Sequence, residues 1–240
     1  MLSLYGKNEW LTVIAITLLL LISVMLLGLW YLSIPVLTFS MLVLWFFRDP
    51  ERHVPPQRGI IVSPADGVIS SIHRLEQFDP FGGPAICIRV FMNVFNIHVN
   101  RSPCHGSVSA IQHKDGLHKS TLNPSSMEHN ESNMIVLVHP IRRHYVAAVR
   151  QVAGLLARTI VCSVREGQTL QRGMRIGMIK LGSTTELYVP EELRPELKVE
   201  KGQKVYGGIT VLAVMPHQES PLDLPESTAV NTEAVEGVTL

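Results

Sequence analysis

From Trp10 to Phe47 the chain runs for 38 consecutive residues without an Asp, Glu, Lys or Arg. A charge-free stretch of that length points to lipid rather than to a protein core as its surroundings. As one helix it would extend about 57 Å, nearly twice the ~30 Å hydrocarbon layer. Pro35, with Gly28 and Ser33 just before it, offers a break. The stretch then divides into Trp10–Leu27 and a shorter run, Ile34–Phe47. This pattern predicts an N-terminal membrane-anchoring helical hairpin over residues 1–47, turning around Trp30 and Tyr31, whose amphipathic rings suit the interface. Lys7 precedes the hairpin and Arg48 and Arg52 follow it. The positive-inside rule puts that face of the cell membrane in the cytoplasm, and the rest of the chain with it. A secretory signal peptide would have an apolar region of only ~7–15 residues before a cleavage site, which this run exceeds. A re-entrant wedge held from one side also fits the short second run.

Beyond Phe47 the composition is that of a soluble domain. Of all the charged residues, only Lys7 and Glu9 precede Arg48, so the average of 46% hydrophobic residues conceals two unlike parts. This asymmetry excludes a plain soluble enzyme, a multi-span transporter and a disordered chain. A net charge of +1, without a basic stripe carrying interleaved aromatics, sets nucleic acid aside as a partner. Cys87, Cys104 and Cys162 are odd in number and widely spaced, which suits a reducing compartment better than disulfides or zinc. Cys87 and Cys162 lie in apolar runs and read as core.

Residues 48–216 break into short apolar runs separated by Gly, Pro, Asn and Ser. Ile60–Val62, Val68–Ile72, Ala85–Phe91, Ile97–Val99, Val108–Ile111, Met134–His139, Tyr145–Val152 and Ile160–Val164 read as strands, and Gln151–Arg158 as a short helix or bend. A repeat sharpens the reading. Val164-Arg-Glu-Gly-Gln-Thr-Leu-Gln-Arg-Gly173 matches Val199-Glu-Lys-Gly-Gln-Lys-Val-Tyr-Gly-Gly208, and the apolar runs Ile176–Ile179 and Ile209–Val214 follow the two copies. Glycines at matched offsets suit tight turns with positive φ. The units resemble those of biotinyl and lipoyl carrier domains, so the expected fold is mostly β, a barrel-sandwich. Residues 217–240, with Pro221 and Pro225, read as a disordered tail.

Three clusters can carry chemistry. In Ser63-Pro-Ala-Asp66-Gly67 the Asp is, on local grounds, an ordinary turn residue. In Phe91-Met-Asn-Val-Phe-Asn-Ile-His98-Val-Asn-Arg-Ser-Pro103 the His is either a satisfied core residue or a proton-transfer group. In Leu181-Gly182-Ser183-Thr184 the Gly-Ser pair is a common turn dipeptide. The other histidines show no metal-ligand spacing, so no metal is expected. Together with Phe46-Phe-Arg-Asp-Pro-Glu-Arg52, Ile61-Val-Ser-Pro-Ala-Asp-Gly67, Gln151–Cys162 and Arg172–Thr184, these clusters resemble, in family order, the short membrane-anchored form of the phosphatidylserine decarboxylase family.

The resemblance implies a proenzyme that cuts itself between Gly182 and Ser183. Residues 1–182 and 183–240 would then form a heterodimer, and Ser183 would become a covalent pyruvoyl cofactor. That group, in place of pyridoxal phosphate, would form a Schiff base with phosphatidylserine in the membrane and release CO2 and phosphatidylethanolamine. Asp66 and His98 fall in the family's catalytic motifs, His98 as base for the Ser183 hydroxyl and Asp66 as its orienting group. Two positions depart from the pattern. Arg101 stands where relatives carry a second histidine, which leaves His98 to serve or share both steps. Asn130-Glu131 follows the family, but Ser132 replaces a basic residue. A pyruvoyl decarboxylase of a soluble amino acid would need no anchor. A lipoyl-type carrier or adaptor would need a modifiable Lys at the repeat turns, where Arg172-Gly173 and Gly207-Gly208 stand, or long heptad helices.

Overall fold

The computed structural model describes residues 1–117, 129–154, 159–180 and 183–215. The apolar N-terminus folds as two helices, α1 (Lys7–Leu26) and α2 (Ser33–Phe46). Gly28, with φ +71°, ends the first, and a single 3-10 turn at Trp30–Leu32 leads into the second. Pro35 sits in the first turn of α2, where its missing N–H costs nothing, so it opens the second helix. Residues Leu4–Leu26 are long and apolar enough to cross a membrane, whereas α2 is about 21 Å long at ~1.5 Å per residue. Of the α1 and α2 residues only Ser40 and Phe46 are buried. Most of their other apolar side chains are exposed, while Trp10 and Val43 pack against Phe46, Phe47 and Met178, and Thr17 and Ser40 join the helices through a 2.6 Å hydroxyl contact.

Fourteen short strands follow, among the described residues: β1 (Ile60–Val62), β2 (Gly67–Phe78), β3 (Gly83–Met92), β4 (Val99–Arg101), β5 (Gly106–Lys114), β6 (Ser132–Val138), β7 (Tyr145–Val152), β8 (Ile160–Cys162), β9 (Thr169–Leu170), β10 (Arg175–Ile179), β11 (Ser183–Pro190), β12 (Glu196–Leu197), β13 (Lys204–Val205) and β14 (Val211–Val214). Antiparallel pairing gives a curled eight-stranded sheet in the order β13-β2-β3-β11-β7-β6-β5-β9, with three-stranded sheets β1-β14-β12 and β4-β10-β8. All three sheets contribute to one core, which includes Ile61, Ile88, Leu137, Ile176, Leu187 and Leu212. The expected mostly-β fold and N-terminal apolar helices are what the chain forms.

The repeat is part of a wider pseudo-symmetry. Gly167 and Gly202 have φ of +80° and +90°, and Gly173 and Gly208 have +78° and +75°. The Gly167 N–H donates to Val108 O and the Gly202 N–H to Ile69 O, both at 2.8 Å. Two turns earlier in the chain are duplicated as well, Ser63-Pro-Ala-Asp-Gly67 and Ser102-Pro-Cys-His-Gly106. Each serine hydroxyl donates to the carbonyl two residues on, Ser63 to Ala65 O at 2.7 Å and Ser102 to Cys104 O at 2.8 Å. The two turns clasp each other, with the Val62 N–H on Pro103 O at 2.9 Å and the Arg101 N–H on Pro64 O at 2.8 Å. Under this symmetry β1-β14-β12 corresponds to β4-β10-β8, and β11 to β7 at the centre of the large sheet.

Two expectations shift. The run Ile97–Val99 is a strand only from Val99 onward, because Ile97 and His98 belong to the loop that enters β4. Gln151 and Val152 end β7, and residues 155–158 of the expected helix or bend lie outside the described residues. So do Gly182 and the tail 217–240.

Candidate active site

Ser183 is the first residue of β11, the strand held between β3 and β7. Every residue of β11 is buried, as a strand covered on both faces requires. By the period of two, Ser183 shares a face with Thr185 and with the core residues Leu187 and Val189. Its hydroxyl is buried, and among the described residues Oγ has no hydrogen-bond partner. Burying a hydroxyl unpaired is costly, and such groups concentrate where chemistry is done.

The neighbours of Ser183 are fixed on two sides. Opposite it, in the β3 register, stands Met92. The loop leaving Met92 returns at His98, whose carbonyl accepts the Ile179 N–H at 3.2 Å. The loop 93–98 thus brackets both ends of the segment that leads from Ile179 into Ser183, and His98 is carried to that segment. His98 is fully buried, with its ring 4.5 Å from that of Phe46 at the end of α2. Its Nδ1 lies 2.9 Å from Asn96 O. A carbonyl only accepts, so Nδ1 holds the proton and Nε2 the lone pair. Burial, with the Arg48 charge acting in the same sense, lowers the imidazole pKa to about 4, against the donation to Asn96. The ring is neutral at physiological pH.

In the structure the partners of Asp66 are groups other than His98. Its carboxylate accepts from Arg52 Nη2 (2.8 and 3.1 Å) and from the Gly207 N–H (2.7 Å). Burial raises its pKa, while the Gly207 amide and the Arg52 and Arg48 charges act against that rise. Arg48, which donates to Phe95 O at 2.5 Å in the loop bracketing Ser183, is the charge felt by both Asp66 and His98. Arg101, at the position of the second histidine, is buried and committed: it donates to Asp49 Oδ1 (2.8 Å), Gly173 O (3.1 Å) and Pro50 O (3.1 Å). It pins the segment after α2 to the β domain.

A buried chain of amides escaped the sequence reading. Asn133 donates to Gln151 Oε1 (3.2 Å), Gln151 to Asn100 Oδ1 (2.9 Å), and Asn100 to Thr185 Oγ1 (3.0 Å), two residues from Ser183. This chain fixes the start of β11 from the β6–β7 side. Its available signal was the polar residues Asn133 and Gln151 inside otherwise apolar strand runs. Asn130 is likewise buried and donates to Ala153 O at 2.9 Å, which secures the end of β7.

A β-rich protein with an apolar N-terminal helical hairpin, a buried serine at the head of its central strand and a buried neutral histidine on the loop that leaves the neighbouring strand is the class that fold and site define. Residues 39–213 match the phosphatidylserine decarboxylase family. The chain is 42% identical over 190 residues to a phosphatidylserine decarboxylase proenzyme of Oleidesulfovibrio alaskensis, covering 79% of this chain and 84% of that one. Against the proenzyme of Carboxydothermus hydrogenoformans it is 38% identical over 182 residues, 76% and 84% of the two chains. Against that of Solidesulfovibrio magneticus it is 46% identical over 172 residues, 70% and 76%. The chain belongs to the phosphatidylserine decarboxylase family.

Proposed function

We propose that this protein is a self-cleaving, membrane-anchored decarboxylase that converts phosphatidylserine to phosphatidylethanolamine and CO2. The observation that carries the proposal is the buried, unpartnered Ser183 Oγ at the head of β11, within the Leu-Gly-Ser motif where a pyruvoyl-forming cut would fall. In the cut, the Ser183 hydroxyl attacks the Gly182 carbonyl and exchanges the amide for an ester, and His98 takes up the hydroxyl proton. Elimination of the carboxylate of residues 1–182 leaves residue 183 as dehydroalanine. Water then releases its nitrogen as ammonia and converts it to the pyruvoyl group. An orphaned hydroxyl suits this step, because it forfeits no hydrogen bond when it attacks. A pyruvoyl carbonyl at residue 183 supplies the electron sink for decarboxylation.

The remaining groups prepare the site. The amide chain through Asn100 and Thr185 holds β11 in register, and Asn96 O holds the His98 ring through Nδ1. Asp66 holds Arg52 and the Gly207 amide, and thereby joins the part of the chain before the cut to the part after it. The N-terminal hairpin keeps the site at the surface of a membrane its lipid substrate never leaves, with the positive residues Lys7, Arg48 and Arg52 toward the cytoplasm.

The intact mass of the purified protein tests this reading. Two chains are expected, the smaller beginning at position 183 with a pyruvoyl group in place of a free amine. Ser183→Ala should leave one uncut chain without decarboxylase activity. Activity persisting in the uncut Ser183→Ala chain refutes the assignment.

A further inference from the structure

A cavity of about 390 Å3 lies where the hairpin meets the β domain, within the ~300–1,000 Å3 span of small-molecule sites. Val43 and Phe46 of α2 line it on one side and Phe95 of the loop 93–98 on another, with Lys180 and its ion-pair partner Glu9 at the polar end. A second apolar cavity of about 430 Å3 lies between α1 and α2 up to Leu20 and Pro35, and Val43 lines both. The trough made by the two linings covers about 17 Å of α2, from Pro35 to Phe46, at ~1.5 Å per residue, with Val43 as the wall they share.

The ends of this trough differ in a way that selects an occupant. The upper end opens among exposed apolar side chains of the hairpin, such as Phe39. The lower end meets the site, since Phe46 is both a wall of the trough and the ring against His98. Lys180 lies three residues before Ser183, and it is the cation among the lining residues. An apolar trough whose polar end holds an ammonium–carboxylate pair is complementary to an amphiphile whose anionic head can replace the carboxylate at Lys180.

We propose that this trough is the acyl-chain subsite of the enzyme. One fatty-acyl chain of the phospholipid lies along Val43 between the helices, and the phosphodiester exchanges with Glu9 for the Lys180 ammonium, which aims the head group at residue 183. The inference rests on the phosphatidylserine reading above and adds to it a determinant of chain length.

The test uses the full-length, matured enzyme and a series of phosphatidylserines with short acyl chains, each kept monomeric in water. For the wild type, KM should fall with every added methylene, by up to about fourfold each, the ratio equivalent to ~0.8 kcal/mol per CH2 leaving water. Val43→Trp fills the junction of the two cavities, and Leu42→Trp narrows the lower one from a more exposed position. Both should self-cleave as the wild type does, keep its KM for the shortest lipid, and show a KM at least tenfold higher for the longest. Lys180→Met should raise KM by a similar factor at every length. A wild-type KM independent of length, or tryptophan variants with the wild-type slope, overturns the subsite. Should both tryptophan variants remain uncut, the wild-type slope alone decides. A wild type that is neither cut nor active on any phosphatidylserine fails the parent reading instead.

Discussion

The protonation state of His98 is set first by its burial, to which a residue of the helical hairpin contributes. Phe46 lies 4.5 Å from its ring, and desolvation is the largest cause of its lowered pKa. A base works in its neutral form, so the rate of self-cleavage should be level near neutral pH and fall only as pH drops through about 4. Phe46→Ala admits water and moves the pKa back toward the ordinary value. The Arg48 charge persists and keeps it from returning fully. The acid limb of the cleavage-rate profile should therefore rise by about one to two pH units. Phe46→Leu, which retains the apolar cover, should restore the wild-type limb. An unmoved limb in Phe46→Ala would show that His98 is not the titrating base. Ser183, Asp66 and His98 were legible as short motifs, but the partner of Asp66 was not. Arg52 is 14 positions away and the Gly207 amide 141, and no spacing rule joins them.

The element that links anchor to domain is the segment Arg48–Arg52. Asp49 accepts from Arg101 at 2.8 Å and from Arg175 at 2.5 Å, Glu51 accepts from Arg175 at 3.1 Å, and Arg52 holds Asp66 at 2.8 Å. Three of these five residues are thus tied to β4, β10 and the turn before β2, while the N-terminus covers the segment through Ser3 N–H on Phe47 O and Asp49 N–H on Met1 O. The two helices could be read from the missing charges, because one uniform property, apolarity, marks the whole stretch. The docking of the hairpin could not, because it depends on paired charges brought together from distant positions. Arg101 illustrates this: no local motif joins it to Asp49, whereas in space the two are paired. Asp49→Ala leaves that guanidinium buried and loses its bidentate hold on two strands, a change expected to cost about 3–5 kcal/mol. Thermal or denaturant unfolding of the uncut Ser183→Ala chain with and without Asp49→Ala measures it. A change within about 0.5 kcal/mol, as for an ordinary surface substitution, would show that the pair contributes nothing.

At the scale of the molecule, the pseudo-symmetry explains how a chain can be cut next to its central strand and survive. The 35-residue repeat was legible because ten residues with two glycines are conspicuous. Its counterpart, the turns at Ser63 and Ser102, shares too few identities to be seen without the structure. Completed, the symmetry puts β11 at the middle of the large sheet, where it pairs with Met92 to Ala85 on one side and Val152 to Ala148 on the other. The cut would fall just before β11, so the piece beginning at Ser183 keeps both neighbours from the other piece. It also inserts β13 beside β2 and β14 beside β1, and offers the Gly207 amide to Asp66. None of these contacts crosses the scissile bond, and the core residues Leu187, Val189, Val205 and Leu212 stay where they were. The two products should therefore co-elute as one species under native conditions and separate only at denaturant concentrations that unfold the β domain. Separation in native buffer would mean that the chain depends on the intact peptide for its assembly, contrary to the topology.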